Sequence, residues 1–359
     1  MINLKDIGKF ETLPEIGMHI YKNNISELQA AIEAGWDIEE RITLSEHTSL
    51  SPLDLALICQ KFDVIRLLVE QGVNLNVPQN PSFLRAVRYC NDKIIRYVVD
   101  HDARMDMHNH VGSNAYSQAY YGNKSNIPLI HELGLDIKLH GGEVLRQAVS
   151  NHDIKTITYL LDHGVDINYN QPDMVYPYRA TPLTVAARMG NQAMVLFLVE
   201  RGADITLAEK DGERAYTIAV SNKDKVMADY LKSLEPPAFH DIENRKYELR
   251  RYKLNDELVR FLSGDNLRLE LSDNEYDIRY IDFFTLSDTI EMKIGRQKLL
   301  RLSANIDNYS DLLLVWNPKK KGMIGCYDVE HETYADLCSF TQFLKQPEVY
   351  LIQFLEGEL

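Results

Sequence analysis

One spacing limits what this chain can fold into more than any other feature. An alanine in one apolar stretch is followed 16 residues later by a glycine that closes a second apolar stretch, as Ala56 is by Gly72 and Ala186 by Gly202. The same step links Ala86 to Asp102, Gln118 to Gly134 and Ala148 to Gly164, and Gly35 closes an earlier, looser copy. The closing positions 35, 72, 102, 134, 164 and 202 are 37, 30, 32, 30 and 38 residues apart. A final first stretch, Ala215–Ala219, leads into 226–234. Self-similarity at a period of about 33 residues means stacked supersecondary units, none able to bury its apolar face alone. About seven such units are expected, the first and last divergent as terminal units usually are.

The best-formed copy reads Thr181-Pro182-Leu183-Thr184-Val185-Ala186-Ala187, a Gly190-Asn191 turn, the apolar run Met194–Val199, then Gly202-Ala203-Asp204. Ser51-Pro52-Leu53, Val64–Val69 and Gly72-Val73-Asn74 form a second copy. These residues resemble the ankyrin repeat, which implies an all-α solenoid of helix pairs over 1–235. Each residue type has a cause. Proline at a first helical position loses no intrahelical bond, and Ser51 or Thr181 before it can cap the helix. Alanines let neighbouring helices approach closely, and a glycine after the second helix takes a left-handed conformation without Cβ strain. Asp102 fills that position because aspartate tolerates the region better than most residues.

The two long steps hold insertions, 41–49 and 168–179, and insertions in repeat arrays fall on loops of one face. The second carries Tyr169, Tyr176 and Tyr178, and tyrosine is enriched in interface cores. Stacking also aligns equivalent positions of successive first helices. The two positions after the alanine pair are Arg88-Tyr89, Tyr120-Tyr121, Ser150-Asn151 and Arg188-Met189. The expectation is a stripe that contacts a protein partner through Arg88, Tyr89, Tyr120, Tyr121, Arg188 and Met189, set against ordinary packing between repeats.

Pro236-Pro237 ends the last helix, and the periodicity then changes. Residues 256–262 read as a helix, 267–271 and 276–283 as strands, and 312–316 with 323–327 as a hairpin about the turn 317–322. Residues 335–344 read as a helix with Leu337, Phe340, Phe343 and Leu344 on one side. A smaller α+β domain with an antiparallel sheet is expected over 238–359. The strand and turn followed by Gly325-Cys326-Tyr327-Asp328-Val329-Glu330-His331, then Leu337-Cys338-Ser339-Phe340-Thr341-Gln342-Phe343-Leu344, resemble the SUKH superfamily. So does Leu300–Asp307, although the family's usual glycines are missing from the turn after it. That resemblance implies a bacterial immunity protein that binds and neutralises a toxin, often a nuclease. The alternative is a scaffold or adaptor that docks on a cellular protein.

The formal net charge is −14, and the segments before and after Pro236 are both acidic. A nucleic-acid binder needs a basic face to displace counterions, so nucleic acid is not an expected partner and a protein with a basic surface is. Cys59, Cys90, Cys326 and Cys338 form no C-x-x-C pair, which fits reduced thiols in a cytoplasmic protein. The start lacks a signal-peptide pattern, and no apolar run approaches a membrane span. The eleven histidines show no zinc spacing, and no phosphate-binding loop or serine-nucleophile elbow occurs. His108-Asn109-His110 falls between repeats, where no ββα nuclease scaffold fits. His101 and His163 fall at the ends of second helices, where a cation complements the helix dipole. Lys319-Lys320-Lys321 reads as a solvated turn. The chain is therefore read as a non-enzyme with no cofactor and no metal.

Overall fold

A computed structural model describes residues 1–320 and 322–359. Lys321, one of the three turn lysines, lies outside the described residues. The chain divides into two compact units. The first comprises Met1–Ala148, Asp153–Asp166 and Asp173–Val175, and the second Val149–His152, Ile167–Pro172 and Tyr176–Leu359. The division falls inside the repeats, so the last two helix pairs group with everything after Pro236.

The first unit opens with the antiparallel hairpin β1 (Ile2–Leu4) and β2 (Gly8–Phe10). Helix pairs follow: α1 (Glu15–Lys22) with α2 (Ile25–Glu33), α3 (Pro52–Ile58) with α4 (Phe62–Glu70), α5 (Ser82–Tyr89) with α6 (Asp92–Asp100), and α7 (Ala115–Gly122) with α8 (Asn126–Glu132). A single turn, α9 (Ile137–His140), precedes α10 (Gly142–Ser150) and α11 (Ile154–Asp162). The first insertion is itself a hairpin, β3 (Ile42–Ser45) on β4 (Thr48–Leu50). Ser51 caps α3, its hydroxyl accepting the Asp54 N–H at 3.0 Å. The closing residues take the left-handed conformation the spacing demanded: Gly72 at φ 85° and Asp102 at φ 68°. The first-helix alanines Ala56, Ala86 and Ala148 are fully buried.

The second unit continues with α12 (Pro182–Arg188), α13 (Gln192–Glu200), α14 (Ala215–Ser221) and α15 (Lys225–Leu234), making seven helix pairs among the described residues. Thr181 and Thr184 form a reciprocal capping box at the start of α12, which satisfies two otherwise orphaned amides. Helix α15 stops one residue before Glu235-Pro236-Pro237, because proline supplies no N–H to continue it.

Beyond it lie α16 (Ile242–Glu248), α17 (Asp256–Leu262), β5 (Arg268–Glu270), β6 (Tyr280–Phe283), β7 (Ile290–Ile294) and β8 (Gln297–Arg301). Then come β9 (Ser303–Ile306), β10 (Leu312–Trp316), β11 (Met323–Asp328), β12 (Thr333–Ser339), α18 (Phe340–Phe343) and α19 (Pro347–Leu355). One sheet runs β12-β11-β10-β8-β7 and a second β5-β6-β9, all pairs antiparallel. Trp316, Phe340, Phe343, Leu258 and Leu262 share its core. The Trp316 indole N–H donates to the Tyr252 carbonyl at 2.9 Å.

The helix expected at 335–344 is mostly a strand. Residues 333–339 pair with β11, and only Phe340–Phe343 turns helical, behind a capping box of Ser339 and Gln342. The apolar residues at 337, 340, 343 and 344 fit helical spacing. However, Leu337 is buried from the sheet, and the strand's hydrogen bonds come from a partner that local periodicity does not reveal. The strands expected at 267–271 and 276–283 shorten to β5 and β6.

Candidate interaction surface

In the first unit the aligned positions are not uniformly open. Tyr89 is 5% and Tyr120 4% exposed, so neither offers its ring to a partner, contrary to the expectation that both contact one. The turn between β1 and β2 covers the first of them. Asp6 pairs with Arg88 at 2.8 Å, and the Lys5 ammonium lies 6.0 Å from the Tyr89 ring centre. The Arg88 guanidinium hydrogen-bonds Asp6 and holds its carboxyl below the usual carboxylate range. Tyr120 sits one helical turn after buried Tyr116 and turns inward with it. Tyr121, by contrast, is 55% exposed.

In the second unit the stripe and the tyrosine insertion meet. The Arg188 guanidinium lies 5.3 Å from the Tyr178 ring centre, a cation–π arrangement. Tyr178 meets Tyr176 edge-on at 6.1 Å between ring centres. Met189, at the end of α12, is 54% exposed. Tyr169 is half-buried. Arg188, Met189, Tyr176 and Tyr178 thus belong to one neighbourhood, which spacing alone does not show.

Beneath Arg188 lies a charged cluster that no local motif announces. The guanidinium donates to Glu209 at 2.6 Å and to Glu213 at 3.1 Å. From the other side, Arg301 on β8 donates to Glu213 at 2.7 Å. Asp211 completes the group, and one oxygen from each of Glu209, Asp211 and Glu213 lies within 4.8 Å of the others. The Glu209 side chain is fully buried. Burial pushes its carboxyl up to about 7, against the pull of Arg188. Burial also raises Asp211, helped by the Glu213 charge. For Glu213 burial is outweighed by Arg301 and Arg188, which hold it low. Arg188 stays charged because Glu209 and Glu213 outweigh its own desolvation. Two guanidiniums already pair with Glu209 and Glu213, so the group is poorly suited to a cation.

The cluster belongs to a seam that joins the last repeat to the sheets. Tyr216 on α14 donates its hydroxyl to Asp288 at 3.1 Å. Lys223 pairs with Asp282 at 2.8 Å and lies 4.3 Å from the Tyr280 ring centre. Val220 packs on Phe284, Ile290 and Ala304. Gly212 sits at φ 89°, where an added Cβ would stand 2.5 Å from the Glu291 carbonyl oxygen. A terminal repeat needs a covering element that presents a polar outer face, and here the sheet region supplies it.

His108 and His110 lie in the loop between repeats, where the Asn109 side chain accepts backbone N–H groups of Val111 and Ser113. His101 and His163 close second helices, each with Nδ1 against the carbonyl four residues earlier, at 2.8 and 2.7 Å. The four cysteines are free thiols, with burial pushing Cys90 up to about 12. Among the described residues no helix is long and apolar enough to cross a membrane.

Paired short helices, left-handed closures and buried alanines make an array of helical repeats. The family described as ankyrin repeats in three copies matches residues 115–209 and 145–244, so this part of the chain carries ankyrin repeats. An ankyrin repeat and KH domain-containing protein of Caenorhabditis elegans is 22% identical over 187 residues, 49% of this chain and 7% of that protein. An ankyrin repeat protein of Acanthamoeba polyphaga mimivirus is 22% identical over 177 residues, 48% of this chain and 54% of that protein. The chain thus matches about half, or far less, of these curated relatives' own lengths. Among solved structures, the human ASB11 ankyrin repeat domain aligns with a TM-score of 0.47 at 17% identity, over 62% of this chain and 99% of that one. The Bcl-3 ankyrin repeat domain aligns with a TM-score of 0.48 at 21% identity, over 62% of this chain and all of that one.

Proposed function

We propose that this chain is a scaffold or adaptor that holds a protein partner by surface contact and performs no chemistry on it. The observation that carries this is the neighbourhood of Arg188. An exposed methionine and a tyrosine pair stand beside an arginine whose position is fixed by buried carboxylates. Side chains held in place from beneath lose little conformational entropy on binding, which favours affinity. The negative charge of the chain favours a partner with a basic surface. The two curated relatives, from a nematode and a virus, support an adaptor better than a bacterial immunity protein. Toxin neutralisation rests on the SUKH-like residues 300–307, 325–331 and 337–344.

The test is affinity capture with the full chain, comparing wild type with Met189→Glu and Tyr178→Ala. A protein held by wild type and lost with both variants supports the proposal. A partner held equally by all three contradicts the assigned surface. Protection of cells against the toxic product of a neighbouring gene would restore the immunity function.

A further inference from the structure

We propose that Glu209, Asp211 and Glu213, with Arg188 and Arg301, form a proton-dependent joint. In it Glu209 carries a proton whose loss weakens the seam between the last repeat and the sheet region.

The charge balance is the first reason. Three carboxylates converge within 4.8 Å, and the guanidiniums that touch them are Arg188 and Arg301. If all were ionised, one negative charge would remain buried in excess, and a buried surplus charge is relieved by taking up a proton. The second reason is the placement of Glu209. One of its oxygens accepts from Arg188, while the other, Oε1, is buried and has no hydrogen-bond donor. An ionised oxygen without a donor is the costly form, and a protonated one is not. The neighbouring Thr184 hydroxyl accepts from the Thr181 N–H at 2.8 Å and donates to the Thr181 carbonyl at 3.0 Å, and its pull on the Glu209 carboxyl only partly offsets the effect of burial.

Glu209 is faced by Arg188 on α12, by Asp211 and Glu213 before α14, by Tyr178 through Arg188, and by Arg301 on β8 through Glu213. Burial is the largest influence and raises its carboxyl to about 7; Arg188 opposes, and Asp211 and Glu213 reinforce. The proton is therefore held more tightly in the folded chain than in the unfolded one. The stabilisation is complete below the unfolded-state value and is lost as pH rises through about 7. Because Glu213 ties the repeat to Arg301, added negative charge next to it strains the contact that joins the two elements.

The experiment is denaturant unfolding of the full chain between pH 6 and 8, in a Trp36→Phe background so that buried Trp316 reports on the second unit. Histidines titrate in this window, so the readout is the difference between the parent and Glu209→Gln. The parent should lose about tenfold more in its folding equilibrium constant over this range than E209Q does. Asp211→Asn removes one of the charges that raise Glu209, so it should weaken the dependence without abolishing it. Equal pH dependence in parent and E209Q, or abolition by D211N instead, would overturn the proposal. So would stabilisation of the parent by millimolar calcium, which would make the cluster a cation site. Should E209Q fail to fold, carboxyl-carbon NMR of the parent decides: a glutamate midpoint near neutrality supports the joint, and none above about 5 refutes it.

Discussion

The helix pairs and the sheet region draw their partners from very different distances along the chain. Between repeats, a tie spans about one repeat. The Asn126 side chain donates to the carbonyls of Val87 and Cys90, at sequence separations of 39 and 36, and Asn222 does the same to Ala187 at 35. At the seam the separations are 88 for Glu213 with Arg301 and 72 for Tyr216 with Asp288. A helix pair can therefore be read from a window of one period, whereas the seam exists only once distant segments have come together. The difference teaches that Pro236-Pro237 ends a helix but does not separate two independent bodies. The last two repeats share a unit with the sheets that follow.

Four substitutions or truncations can break or sharpen this contrast. The largest effect is expected from ending the chain after Glu235. That would expose the buried faces of Tyr216 and Val220 and leave Glu213 without Arg301, so α14 and α15 should lose their helical signal in circular dichroism. Retention of full repeat helicity would show that the sheet region is not the cap. Arg301→Ala should cost roughly 3 kcal/mol in urea unfolding, because removing one partner of a buried ion pair leaves the other uncompensated. Gly212→Ala should cost about 1–3 kcal/mol, since it brings a Cβ against the Glu291 carbonyl at a backbone angle that disfavours alanine. Thr181→Ala, within a repeat, should cost about 1 kcal/mol as a lost cap, measurable as a lower urea midpoint with an unchanged slope.

The repeats were legible because each rule is local. The caps at Ser51 and Thr181, the left-handed closures and the stop before Pro236 all fall where spacing and residue type put them. The helix at 256–262 and the strand at 312–316 were legible for the same reason. What failed depended on distant chain. Residues 335–339 have helix-like spacing yet are recruited as a strand by β11. Tyr89 was read as an exposed groove residue, but the turn at Lys5–Asp6 comes from the far start of the chain to cover it. Glu209, Asp211 and Glu213 looked like ordinary charges in an acidic chain. Their partner Arg301 lies 88 residues from Glu213, beyond the reach of any local pattern.

Hydrogen exchange on the full chain, resolved to peptides, tests the shared unit most directly. Amides of α14 and of β8–β10 should exchange through one opening and lose protection together in Arg301→Ala. Unchanged protection of α14 in that variant, with the strands alone destabilised, would show that the last repeat stands without the sheets.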